Sequence, residues 1–147
     1  MRLLATILRS VGREARMLNA YGEQDTPSWL RRLGYEPARR SPVDGFLDHG
    51  PVAGVDLRSL ATGSEVVFET RNSRYRVVVL GRGPTALVRG GRHLEQEATA
   101  RVEGCTLGGS LLKLGWIALG FRLELMVCGK RIVTSSVRSI FVKKALY

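Results

Sequence analysis

The stretch from Gly104 to Val142 reads GCTLGGSLLKLGWIALGFRLELMVCGKRIVTSSVRSIFV and holds most of the apolar residues of the C-terminal half. Phe121, Leu123 and Leu125 alternate with Arg122, Glu124 and Met126. A period of two marks a strand with one face on a core. Cys128-Gly129-Lys130 interrupts the pattern and Ile132-Val133-Thr134 resumes it, so the break is expected to be a hairpin turn. Val137, Ser139 and Phe141 then alternate with Arg138, Ile140 and Val142. Both sets contain apolar residues, which places this last strand in the middle of a sheet or under another element. Upstream, Leu111 to Leu119 is almost continuously apolar, broken by Lys113 and Gly115. Glycine inside a helix costs about 1 kcal/mol relative to alanine. Gly115 and Gly120 therefore favour a buried strand, bent or bulged at Gly115, over a short helix.

The same reading extends back to Val55. Val66 and Phe68 alternate with Glu65, Val67 and Glu69; Arg71-Asn72-Ser73-Arg74 makes a turn; Tyr75 to Leu80 is rich in β-branched and aromatic residues. Gly81-Arg82-Gly83-Pro84 turns the chain into Ala86-Leu87-Val88, Gly90-Gly91 turns it again, and Ala98 to Val102 follows. About seven short strands, spaced roughly ten residues apart, point to a mainly β fold, a small β-barrel or sandwich over residues 51–147.

Residues 1–50 have a different character. At about 100° per residue, Arg2, Arg9, Arg13 and Arg16 share one narrow face of a helix over residues 2–20. Leu3, Leu4, Ile7, Leu8, Val11, Ala15 and Leu18 take the opposite face. This amphipathic N-terminal helix is expected to dock its apolar stripe on the β domain, on a partner subunit or, least of all, on a membrane surface, since no aromatic anchor lies in the stripe. A short second helix follows, with Thr26 as N-cap, Pro27 at the first helical position, Trp29 as a packing anchor and Gly34 as the stop. From Glu36 to Gly54, three prolines and three glycines read as an extended linker on the surface, with the domain boundary near residue 50.

Composition narrows the function. A chain of 147 residues is one domain, or one domain with an extension, and can bury a core without disulfides. No apolar run approaches the roughly 18 residues of a membrane span, and MRLLATILRS is too short for a signal-peptide core. Cys105 and Cys128 are therefore expected as two buried thiols in a reducing, cytoplasmic setting. The net charge is +10, and residues 51–147, with fifteen basic and seven acidic residues, supply +8 of it. Such an excess attracts phosphate backbones or acidic surfaces. A basic surface that serves only solubility, in an arginine-rich composition, is the competing explanation.

The residues that could do chemistry do not form a recognisable set. His49 and His93 lie outside any catalytic motif, and no CxxC or HxxxH spacing joins them to Cys105 and Cys128. Asp44, Asp48 and His49 read as a solvated loop rather than a metal site. Strands, not helices, follow Gly81-Arg82-Gly83 and Gly108-Gly109-Ser110, which argues against phosphate-cradling loops. The expectation is a binding protein without catalysis, metal or cofactor. Its candidate ligand is a polyanion, RNA or DNA, held through backbone phosphates by Arg71, Asn72, Arg74, Arg76, Arg82, Arg92, Lys130 and Arg131, with Tyr75 offering its ring to a base. The alternative is an assembly module that docks on its own oligomer or on a protein partner through Leu4, Ile7, Val11 and Leu18.

Overall fold

A computed structural model describes residues 26–42, 51–81, 83–106 and 112–145. The N-terminal stripe Leu4, Ile7, Val11 and Leu18, the loop with Asp44, Asp48 and His49, and Arg82 lie outside the described residues. Within them the chain is mainly β. One short helix, α1 (Ser28–Arg32), precedes strands β1 (Glu36–Pro37), β2 (Arg40–Pro42), β3 (Pro51–Asp56), β4 (Glu65–Thr70), β5 (Arg74–Val79), β6 (Thr85–Gly90), β7 (Leu94–Thr106), β8 (Leu112–Leu114), β9 (Trp116–Ala118), β10 (Arg122–Val127) and β11 (Lys130–Lys143). No helix among the described residues is long and apolar enough to cross a membrane.

Every described strand pairing is antiparallel. The large sheet runs β11-β10-β7-β6-β5-β4, and β4 pairs again with β11, so the path of pairings returns to its start. A second sheet, β2-β3-β9, adds Val55 and Ile117 to the same core as Phe68, Val77, Val88, Val102, Leu123, Leu125 and Ile140. Gly115 is where the apolar run passes from one sheet to the other. β8 pairs with β7 on one side of it and β9 with β3 on the other, and the change of direction uses a φ of +76°.

β11 does most of the joining. Its first half pairs with β10 from Lys130 to Ser136, and its second half pairs with β4 from Val137 to Lys143. Two bulges accompany the handover. Arg122 faces Ser136 while Glu124 faces Val133, so β11 carries one extra residue there and Leu123, paired with Cys105 on β7, has no ladder partner on β11. The hydroxyl of Thr134 takes that role: Oγ1 accepts the Leu123 N–H at 3.0 Å and donates to the Ser135 carbonyl at 2.8 Å. The second bulge, at Arg138, resets the alternation expected from the sequence. Val137, Ile140 and Val142 all join the main core, and Phe141 faces outward under α1. There Phe141 and Val67 pack with Leu30, Tyr35 and the edge of Trp29, which gives Trp29 the packing role its sequence context suggests.

Three further expectations are corrected. Thr26 does not cap α1; Pro27, with ψ at 141°, is the capping residue, and its carbonyl accepts the Arg31 N–H at 3.0 Å. The stretch 36–54 is more than a linker, because β1 pairs with β11 and β3 with β9. Extended, proline-bearing segments suit positions where one side needs no ladder donor: β1 and β2 are edge strands, and Pro51 of the central β3 is paired on the β2 side only. Cys105 is buried, as expected, but Cys128 is exposed. Cys128 and Gly129, with φ of 50° and 75°, form a two-residue turn between Val127 and Lys130, and the turn points Cys128 away from the core.

Gly90 tests the closeness of the sheet. It has φ +138°, and a Cβ there would lie 1.9 Å from the Arg74 carbonyl oxygen. Gly90→Ala is expected to cost more than the roughly 1–3 kcal/mol of the backbone conformation alone, read as a lowered midpoint in urea denaturation. Thr134→Val leaves the buried Leu123 N–H without an acceptor and is expected to cost about 1–3 kcal/mol. Thr134→Ser keeps the acceptor and should retain most of that stability in the same measurement.

Candidate functional site

Two hairpin turns meet at one end of the large sheet. Glu69 faces Arg74 across the first, and Tyr75 faces Gly90, next to the second. The 71–73 turn is tied at both ends. Thr70 Oγ1 bonds the carbonyl and the N–H of Ser73, at 3.1 and 3.0 Å, closing the loop on itself. Arg71 N–H then donates to the Ser136 carbonyl and Asn72 N–H to Ser135 Oγ, each at 3.1 Å. The first bulge of β11 thus supplies acceptors that fasten the turn.

Between these parts lies an open cleft of about 610 Å³. It is lined by Asn72 and Ser73 of the first turn, by Gly91, Arg92 and His93 of the second, by Ile132, Val133, Thr134 and Ser135 of β11, and by Tyr75. None of the described residues lining it is acidic. Arg92, His93 and Asn72 are exposed. Tyr75 is not: it is 7% accessible, its ring stacks on Phe68 at 4.9 Å and 14°, and a Cβ on Gly91 would meet its hydroxyl at 2.6 Å. Burial raises the Tyr75 hydroxyl above its ordinary pKa, partly offset by a hydrogen bond with Ser73. The ring expected to stack a base is thus committed to the core, and only its polar edge reaches the cleft.

The basic residues named from the sequence divide into two groups. Arg74, Arg76 and Arg131 are engaged by carboxylates. Arg74 Nε stands 3.4 Å from Glu69 Oε2, an ion contact outside hydrogen-bond geometry, with Glu69 buried. Arg76 bonds Glu65 and reaches Glu97 at 3.5 Å, and Arg131 bonds Glu124. These side chains lie on the outer face of the sheet as neighbours across strands, where opposite charges stabilise pairing. Arg71, Arg92 and Lys130 are exposed and make no ion pair with another described residue. Arg122 is also exposed and without an ion pair to another described residue, but it faces Ser136 from the β10 edge of β11, the edge opposite to Arg71, whose N–H the Ser136 carbonyl holds. Arg122, His93, Thr134 and Ser135 did not stand out in sequence as site residues. The one signal available was the hydroxyl run Thr134-Ser135-Ser136 inside an otherwise β-branched strand, a composition that favours side-chain substitution for ladder bonds.

Among the described residues, no three His, Cys, Asp or Glu side chains come together as a metal-holding group. No family model matches the chain, and neither a curated protein nor a solved structure gives a significant match.

The two thiols differ sharply. Burial pushes Cys105 up to about 12, with Lys113 and a backbone hydrogen bond opposing only in part. In native protein at mildly alkaline pH, a disulfide reagent such as Ellman's is expected to titrate Cys128 at once and Cys105 only after denaturant is added. The linkage has one sign. Above the ordinary thiol range the unfolded chain releases the Cys105 proton while the folded chain keeps it, so stability falls as pH rises from about 9 toward about 12. The raised Tyr75 hydroxyl adds in the same direction. Thermal melting should therefore drop through this alkaline window, and less so in Cys105→Ala when each variant is referred to its own neutral-pH value.

Proposed function

We propose that the protein is a non-enzymatic binding module for a polyanion, RNA or DNA, held through its backbone phosphates at the cleft between the 71–73 and 91–93 turns. The observation that carries this reading is the contrast in arginine pairing. On the outer face Arg74, Arg76 and Arg131 are matched by carboxylates, whereas the described lining of the cleft holds Arg92 and no acid, and Arg71 on the adjoining turn and Arg122 across β11 are without ion pairs among the described residues. Leaving guanidinium groups unmatched beside Ser135 and Asn72 suits phosphate oxygens, which accept from Arg forks and from Ser and Asn side chains alike. We take the closed circuit of six strands as a small barrel, whose end would present the two turns as one binding surface. Because Tyr75 is buried, recognition rests on phosphate contacts, and sequence preference is weak. Lys130 and the paired Arg74, Arg76 and Arg131 contribute to the general field rather than to the cleft.

The test is a titration of labelled single-stranded oligouridine and oligothymidine across a salt series, followed by fluorescence anisotropy. Wild-type affinity should fall steeply with salt. Arg71→Glu/Arg92→Glu should weaken binding of both oligomers alike and flatten the salt slope by about 0.7 for each phosphate that is no longer neutralised. Unchanged binding in that variant would remove the cleft from consideration. Absence of binding even at low salt, together with elution as a defined oligomer, would replace the reading by an assembly module acting through Leu4, Ile7, Val11 and Leu18.

A further inference from the structure

A second cavity, of about 580 Å³, opens where β1, β3, β9 and the end of β11 meet, and it shares no lining residue with the cleft. Its apolar side is formed by Val55, Leu60 and Val142, which are core residues, and by the half-buried Trp116. Its polar side carries Arg39 and Lys144, both exposed and neither in an ion pair with another described residue. Two carboxylates also reach it. Asp56 is matched by Arg58, whose Nε and terminal nitrogen donate to its two oxygens at 3.0 and 3.1 Å. Glu36 cancels one of the two remaining cations, which leaves the cavity with an excess of one positive charge.

The walls are held from several directions. Ala38 N–H donates to the Ile140 carbonyl at 3.1 Å, Gly54 N–H to the Arg39 carbonyl at 3.0 Å, and Leu57 N–H to the Gly115 carbonyl at 2.9 Å. Ser59 Oγ closes the turn on the Asp56 carbonyl at 2.7 Å. A cavity in the range of about 300–1,000 Å³, with an apolar body and a few fixed polar groups, matches small-molecule sites in size and lining. Held walls spare a ligand the cost of ordering them.

We propose that this cavity binds a small aromatic anion, with its ring against Trp116 and its single anionic group between Arg39 and Lys144. Trp116 and the aliphatic Val55, Leu60 and Val142 select a flat apolar body, since aromatic rings gain from offset stacking as well as from burial. The charge excess selects an anion over a neutral ring, and the compensated Asp56 leaves no free carboxylate beside Lys144 and Arg39 except Glu36. This assignment does not depend on the polyanion reading, because a different set of side chains makes the site.

The test follows the indole N–H resonances of ¹⁵N-labelled full-length protein. The chain has two tryptophans, Trp29 and Trp116, so Trp116→Phe assigns the signals by loss of one, and Trp29→Phe provides the same assignment if that variant is poorly folded. The probes are 1-naphthoate and 1-naphthyl phosphate, with 1-naphthol and acetate as the uncharged and ring-free controls. The Trp116 resonance is expected to shift saturably with one or both naphthyl anions, the better of them identifying carboxylate or phosphate as the preferred group. Acetate should leave it in place. Arg39→Ala/Lys144→Ala should weaken the naphthyl anions by about tenfold or more, equivalent to about 1.4 kcal/mol, while leaving 1-naphthol little changed. Equal affinity for 1-naphthol and the anions in wild type, an unaffected double variant, or a Trp116 resonance that does not move at millimolar ligand would each overturn the assignment.

Discussion

A strand that is buried on both edges must find a partner for every backbone N–H and carbonyl along both, because an unmade bond in the interior costs the full desolvation of the group. β11, fourteen residues long, meets this demand on both edges from Val137 to Lys143 by changing neighbours along its length. One edge is taken by β10, then by the Gly120 and Phe121 backbone at Val137, then by Ala38 and β1; the other is taken by β4. Without this handover the pairings would not return from β11 to β4, and the core shared by Phe68, Leu125 and Ile140 would be open along one side. Bulges make the handover possible. An extra residue bends the strand and increases its twist, and at Thr134 a side-chain hydroxyl supplies the bond that the irregular ladder omits.

The candidate cleft is a by-product of that same irregularity. A regular β11 would spend its backbone groups on its sheet neighbours, whereas the bulged one offers the Ser136 carbonyl and the Ser135 hydroxyl to the 71–73 turn. The turn is thereby held against β11, with Arg71 on the β4 edge of that strand and Arg122 on the β10 edge. Fixing backbone rather than side chain leaves the guanidinium groups available. A long side chain held by its stem and not by its head can adapt to a phosphate at small cost in order already lost.

The distribution of ion pairs has an electrostatic logic. Glu65 alone collects Arg76, Tyr35 and Lys143 around one partly buried carboxylate. Exposed pairs of this kind contribute little each, and networks contribute more than isolated pairs. Their larger effect is to cancel the positive field over the outer face of β4, β5 and β7. The net charge of the chain therefore overstates the charge of that face, whereas at the cleft no described lining residue is acidic beside Arg92.

Much of the local structure was legible in the residues themselves. The period-two alternation of Phe121 to Met126, the glycine-bearing turn at Cys128-Gly129 and the break at Gly115 each express a conformational preference of a few neighbouring residues, and the strands and turns lie where those preferences put them. The hydroxyl run at Thr134 carried a signal of the same local kind, but its meaning depended on a missing ladder partner on the neighbouring strand. The pairing of Arg76 with Glu65 and Glu97, the burial of Tyr75 against Phe68, the outward turn of Phe141 toward Leu30 and the meeting of residues 71–73 with 91–93 were decided by tertiary structure. Each depends on register between strands distant in the chain, and a one-residue change of register reverses which side chains face inward. Local propensity specifies where a strand runs; only the closure of the sheet specifies which arginines meet a carboxylate and which are left facing solvent.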